Sequence, residues 1–172
     1  MKSVESYTYD GVLQYEEYSR GLDVGVTLYA NDSEIGYIRG QKLNYNNFES
    51  LQKAKTCYKD VILLAGLGGK SVCDTVKGTS CLLPRVFMIT DVELESYDDQ
   101  GVKLRGLGLG KILYEVIFTE FFEENGDFIA VPMKCIFGRD NTSPDAQRVW
   151  DSLARNLESS SDLVLVDRAL HF

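Results

Sequence analysis

The chain has 172 residues, 44% hydrophobic and 26% charged, enough apolar material for one core and within the size of a single domain. Lys plus Arg number 18 against 26 for Asp plus Glu, a formal charge of -8. That balance argues against a nucleic-acid partner, because a phosphate backbone demands a positive field. An acidic surface either attracts cationic ligands such as amines or simply keeps the protein soluble.

No apolar run approaches the roughly 20 residues of a membrane span, and MKSVESYTYDG at the start has no apolar signal region. The expectation is an unexported, cytoplasmic protein with no membrane partner. Cys57, Cys73, Cys81 and Cys135 form no C-x-x-C pair, and the single histidine, His171, is penultimate. No metal site of Cys/His type is expected, and the thiols read as reduced and separately buried.

The first twenty residues, with Tyr7, Tyr9, Tyr15 and Tyr18 among acids, are locally ambiguous. Asp23 to Tyr29 (DVGVTLY) alternates with period two, Asn31-Asp32-Ser33 is turn chemistry, and Glu34 to Leu43 (EIGYIRGQKL) is again strand-like, which predicts a hairpin. Apolar residues at 48, 51, 54, 58, 61, 62 and 65 fit one face of a helix, capped by Asn46 or Asn47 and stopped at Gly66. Asp60 to Ala65 reads alternatively as a short buried strand. Arg85 to Ser96 (RVFMITDVELES) is the clearest strand. Leu109 to Glu124 places apolar residues at 109, 112, 113, 116, 117 and 121 and ends at Asn125-Gly126, an amphipathic helix. Phe128 to Ile136 (FIAVPMKCI) is a strand in which Pro132 marks a bulge or an edge. Ser143-Pro144-Asp145 opens a helix with Ala146, Val149, Trp150, Leu153 and Leu157 on one side, so Trp150 is expected in the core. Leu163 to Val166 (LVLV) is the last strand. With no repeat and no low-complexity linker, residues 1–172 read as one mixed α and β domain.

Two glycine-rich stretches invite a phosphate. AGLGGKS, Ala65 to Ser71, ends in Gly-Lys-Ser, but a Walker loop calls for glycine at position 64, where this chain has Leu64. Residues 71 to 80 also show little helical pattern, so the stretch reads as a helix stop and a loop. LRGLGLGK, Leu104 to Lys111, stands between a strand and a helix, and glycines at 106, 108 and 110 remove the side chains that would block a phosphate. The unsatisfied N–H groups of a helix start carry partial positive charge, and Arg105 and Lys111 add more. Neither stretch meets the Rossmann G-x-G-x-x-G, because Ser71 and Lys111 occupy the third glycine position.

Arg105-Gly106-Leu107-Gly108-Leu109-Gly110 resembles the R-x-x-G-x-G pyrophosphate loop of the GNAT superfamily of acyl-CoA-dependent N-acetyltransferases. Ala30 to Ile38 (ANDSEIGYI) is similar to the hairpin of that family's second and third strands, and Asn141 to Leu153 (NTSPDAQRVWDSL) to its asparagine-then-alanine helix after the fifth strand. Ser143, Ala146, Val149 and Trp150 resemble small phage-encoded members, for which the compartment would be the host cytoplasm.

The resemblance implies an α+β fold: a mixed, mainly antiparallel central sheet with helices on both faces, and an insertion at about residues 44–84. It implies acetyl-CoA as cosubstrate, held by Arg105, Gly106, Leu107, Gly108, Leu109, Gly110, Lys111 and Asn141, with the thioester between the central strand and Phe128 to Ile136. The acceptor would be a primary amine, on a small molecule or a protein, attacking directly. An amine of pKa about 10.4 is only about one part in two thousand deprotonated near pH 7, so a base must take its proton. Asp91, Glu93 and Glu95 share one face by period two, where the family often carries that base; Glu93 is the first candidate and Glu95 the second, although such acids also suit a solvated strand face. Trp150 stands where the family often has a tyrosine acid, leaving Tyr114, Ser143 and Cys135 as substitutes. The alternative is a GNAT-like protein without transferase activity that binds a partner protein through its insertion and acidic surface; a homodimer is also compatible.

Overall fold

The N-terminal part is an antiparallel meander. In the computed structural model, which describes residues 1–43, 62–64, 85–126, 128–132, 143–157 and 163–165, β1 (Lys2–Val4), β2 (Leu13–Arg20), β3 (Asp23–Ala30) and β4 (Ser33–Leu43) pair antiparallel in succession. The expected hairpin is β3–β4. Asn31 and Asp32 at its tip take positive φ, 48° and 70°, the turn geometry whose twist matches the flanking strands. The ambiguous first twenty residues hold β1 and β2. Residues 16 to 20 of β2 are all exposed, which erases the alternation that would have announced the strand.

The sheet continues through β6 (Arg85–Leu94), antiparallel to β4, and β7 (Phe128–Pro132), parallel to β6. β5 (Ile62–Leu64) lies antiparallel between β7 and β8 (Leu163–Leu165). Among the described residues the order is β1-β2-β3-β4-β6-β7-β5-β8, a mixed and mainly antiparallel sheet of eight strands. Two helices among the described residues pack with it, and the class is α+β. At residues 62 to 64 the structure has the short strand of the alternative reading, not the helix expected to run through them. Three consecutive apolar residues suit either state, and ladder pairing on both sides decides for a strand. The rest of that helix, its stop at Gly66, the AGLGGKS stretch and most of the 44–84 insertion lie outside the described residues.

The core forms where α1 (Leu109–Asn125) packs on β3, β4 and β7. The three-to-four spacing read from the sequence buries Leu109, Leu113, Val116, Ile117 and Phe121, and the helix stops at Gly126, φ 75°, whose N–H donates to the Phe122 carbonyl at 2.7 Å. Phe87 of β6 is fully buried, stacked on Phe121 with ring centroids 4.3 Å apart and edge-on to Phe128 at 6.0 Å. α2 (Pro144–Leu157) opens as expected, the Ser143 hydroxyl accepting the Ala146 N–H at 3.1 Å. Its Trp150 is buried against Tyr114 and Phe118, at 5.4 and 5.9 Å between centroids, a core role that matches expectation.

A β-bulge at Thr90 positions the acids. Gly40 pairs with Ile89 and Arg39 with Asp91, so Thr90 is the extra residue and alternation reverses across it. Phe87 and Ile89 before the bulge, and Val92 and Leu94 after it, all pack on the core. Asp91 and Glu93 are thereby turned to the opposite, exposed face of the sheet, which they share with Tyr37 and Arg39 of β4.

Candidate functional site

The glycine loop is fixed from three sides. Upstream, residues 96 to 104 form a tight turn: Tyr97 and Lys103 bridge, the Leu104 N–H donates to the Ser96 carbonyl at 2.9 Å, and Leu104 is buried. The Asp98 carboxylate accepts the N–H groups of Gln100 and Val102, at 3.0 and 2.8 Å, and the Tyr9 hydroxyl at 2.8 Å. Partial burial opposes its charge, but these hydrogen bonds outweigh burial and hold the Asp98 carboxyl below the ordinary aspartate value. Downstream, Leu109 is buried and anchors the start of α1.

Gly106 and Gly108 take φ of 88° and 75°, and a Cβ at either would meet nothing within 4 Å. Glycine is needed there for backbone conformation, and the space over the loop is open. Gly108 caps α1 with no side-chain hydrogen bond. The Ile112 N–H donates to the Gly108 carbonyl at 3.2 Å, so the N–H groups of Leu109, Gly110 and Lys111 precede the first helical bond. On the third side, Thr8 donates its hydroxyl to the Leu107 carbonyl at 2.5 Å. Because the peptide unit is planar and trans, this turns the Gly108 N–H the other way, away from the N-terminal segment. Arg105 is exposed; Lys111 pairs with Glu115 at 3.2 Å. A Cβ at Gly110 would sit 3.7 Å from Val149 Cγ2, so this glycine faces α2.

The loop residues Arg105 to Lys111 therefore form one contiguous arrangement, while Asn141 and Cys135 lie outside the described residues. Of the carboxylates, Glu93 and Asp91 are brought together by Tyr37, whose hydroxyl reaches Glu93 Oε2 at 2.9 Å and Asp91 Oδ2 at 3.0 Å. Glu95 is exposed just beyond the end of β6 and belongs to no side-chain hydrogen bond of that group; its backbone N–H donates to the Ile35 carbonyl. The hydrogen bonds to Glu93, and secondarily to Asp91, push the Tyr37 phenol up to about 12, so it stays protonated at neutral pH. The Arg39 guanidinium lies 4.4 Å from the Tyr37 ring centroid. Among the substitute acids, Tyr114 is buried in the aromatic core and Ser143 caps α2.

Sequence reading missed Tyr37 and Arg39, although period two places both on one face of β4; only the cross-strand register sets them opposite Glu93 and Asp91. It also missed Lys2, which bridges Glu17 at 2.9 Å and Glu120 at 2.7 Å beside a cavity of about 450 Å³ between β2, β3 and α1. Tyr15 donates to Glu120 at 2.5 Å; burial first, and this carboxylate second, push the Tyr15 phenol up to about 12. Residues 2, 15, 17 and 120 are too far apart in sequence to announce such a cluster. Among the described residues no group of His, Cys, Asp and Glu is arranged to hold a metal, and no helix is long and apolar enough to cross a membrane. Compared with known proteins, the chain matches no protein-family model and no curated protein.

Proposed function

We propose that the chain is an acetyl-CoA-dependent N-acetyltransferase of the GNAT type, acting in the cytoplasm on a primary amine. The observation that carries the reading is the uncapped start of α1. Two glycines of positive φ bring backbone N–H groups to it under open space, beside Arg105, a natural seat for a pyrophosphate. The surrounding topology supports it, since the loop leads from β6 into α1 and α1 leads to β7, parallel to β6.

Pairing of β7 with β6 reaches only Ile89 and Pro132, and the Thr90 bulge follows at once while β6 runs on to Leu94. Past that point the edge of β6 that faced β7 has no ladder partner among the described residues. In the proposed reaction, backbone N–H groups of this edge take the oxygen of the thioester carbonyl, where charge develops during transfer. In the reaction, an ammonium gives a proton to the Glu93 carboxylate and the neutral nitrogen attacks the thioester carbon. The C–S bond breaks, and the surplus proton on nitrogen passes to the departing sulfur. A thiol of pKa about 8.5 is a competent leaving group, so a strong acid is not required.

Calorimetric titration of the purified protein with acetyl-CoA tests the reading: saturable binding is expected, and none would overturn it. A second reading, a GNAT-like partner-binding module without turnover, is favoured by one observation. Trp150, at the place where the family often has its tyrosine acid, is buried in the core. Acetyl-CoA binding with no transfer to any of a panel of amines and basic peptides would decide for it.

A further inference from the structure

We infer that Tyr37 is the residue that positions the Glu93 carboxylate for the proton-accepting step, an assignment that rests on the acetyltransferase reading above. Antiparallel register sets Tyr37 directly across from Glu93 and Arg39 across from Asp91, all on the exposed face of the sheet. A glutamate on such a face has three rotatable bonds and no packing to choose among its rotamers. Tyr37 supplies the choice. Its hydroxyl stands 2.9 Å from Glu93 Oε2 and 3.0 Å from Asp91 Oδ2.

A phenol has one proton to donate, so at any instant it serves one carboxylate and leaves the other free to accept. The other oxygen of Glu93 remains open to an incoming ammonium. The ring is itself held, with the Arg39 guanidinium 4.4 Å from its centroid. Among the described residues two carboxylates meet this hydroxyl, and one guanidinium lies over the ring. Tyr37 takes no proton in the reaction: the amine's proton goes to Glu93, and the phenol keeps its own.

The test combines turnover with a readout independent of it. Tyr37→Phe keeps the ring and the Arg39 contact and removes only the hydroxyl. The expected result is a fall in kcat of about tenfold, the order of a hydrogen bond to a charged group, with acetyl-CoA affinity and melting temperature unchanged. In a Glu93→Gln background the same change should add less than about twofold, because the group it positions is already gone. In parallel, ring-labelled tyrosine NMR of the unliganded protein should find Tyr37 titrating near 12, and Glu93→Gln should move it toward the ordinary value of about 10.

Transfer by the wild type with kcat untouched in Tyr37→Phe overturns the inference and leaves the acetyltransferase reading standing. A Tyr37 titration indifferent to Glu93→Gln overturns it in the same way, by removing the tie. Absence of acetyl-CoA binding and of transfer in the wild type overturns the reading itself, and the inference with it.

Discussion

Alanine at Gly40 and alanine at Gly110 are the same chemical change with opposite expected signs. A Cβ at Gly40 would lie 2.4 and 2.5 Å from ring carbons of Phe87 and 2.8 Å from the Met88 carbonyl oxygen. Neither neighbour can yield. Phe87 is fully buried, stacked on Phe121 and held edge-on by Phe118 and Phe128, and the Met88 carbonyl belongs to the backbone of β6. Overpacking of this kind costs about 1–3 kcal/mol. A loss of unfolded-chain entropy worth about 0.4–1 kcal/mol offsets part of it, leaving a net destabilisation of about 1–2 kcal/mol. At Gly110 the new methyl would meet Val149 Cγ2 at 3.7 Å, an ordinary contact, inside a helix. Glycine in mid-helix is worth about 0.5–1 kcal/mol less than alanine and Gly110 is in the first turn, so Gly110→Ala should stabilise by at most about 0.5 kcal/mol. Urea unfolding followed by the fluorescence of Trp150 measures both. With a slope of about 1–3 kcal/mol/M, Gly40→Ala should lower the midpoint by about 1 M and Gly110→Ala should raise it by a few tenths. A Gly40→Ala midpoint equal to wild type would refute the packing described for Phe87, and a loss at Gly110 would refute the α1–α2 contact.

Gly108→Glu would set a carboxylate against a bound pyrophosphate; two unit charges about 4 Å apart at an effective dielectric of 20 repel by about 4 kcal/mol, so acetyl-CoA affinity should fall about a thousandfold. Gly108→Ala carries the same positive-φ strain without the charge and should lose far less; equal losses would assign the effect to the backbone, and unchanged binding in Gly108→Glu would place the phosphate elsewhere. Because the Asp98 carboxyl is held below its ordinary value in the fold, its contribution to stability is complete above the unfolded value of about 3.9 and is lost as pH falls through the lower folded value. Asp98→Asn should therefore differ from wild type in urea midpoint at pH 6 and converge with it on acidification, and a gap constant with pH would contradict the turn's hydrogen bonds. Lys2→Met leaves Glu17 and Glu120 facing one another, so its loss of stability should be larger at pH 7 than at pH 4 and shrink in about 1 M salt. A loss indifferent to both conditions would show that Lys2 acts only through its apolar stem.

Where one element carries its own signal, sequence was sufficient. The β3–β4 hairpin, the boundaries of α1 and α2, and the strand character of β6 follow from periodicity, turn residues and caps within a dozen or so positions. The glycine loop was equally legible, because Gly106 and Gly108 are needed for local backbone conformation. Elements without local contrast were not. β2 exposes most of its residues and so shows no alternation, and Ile62 to Leu64 are apolar throughout and so fit a helix or a strand.

The carboxylates mark the division most clearly. Period two placed Asp91 and Glu93 on one face, but which face was settled by the bulge at Thr90, a property of the β4–β6 pairing. The partner that distinguishes Glu93 from Glu95 is Tyr37, more than fifty residues away in the chain and opposite in the sheet. By itself the sequence determined the local elements and the glycine loop that opens α1, since both depend on the conformational preferences of neighbouring residues. Tertiary structure alone decided strand order, the face of the acids and their tyrosine, because hydrogen bonds between distant strands set register.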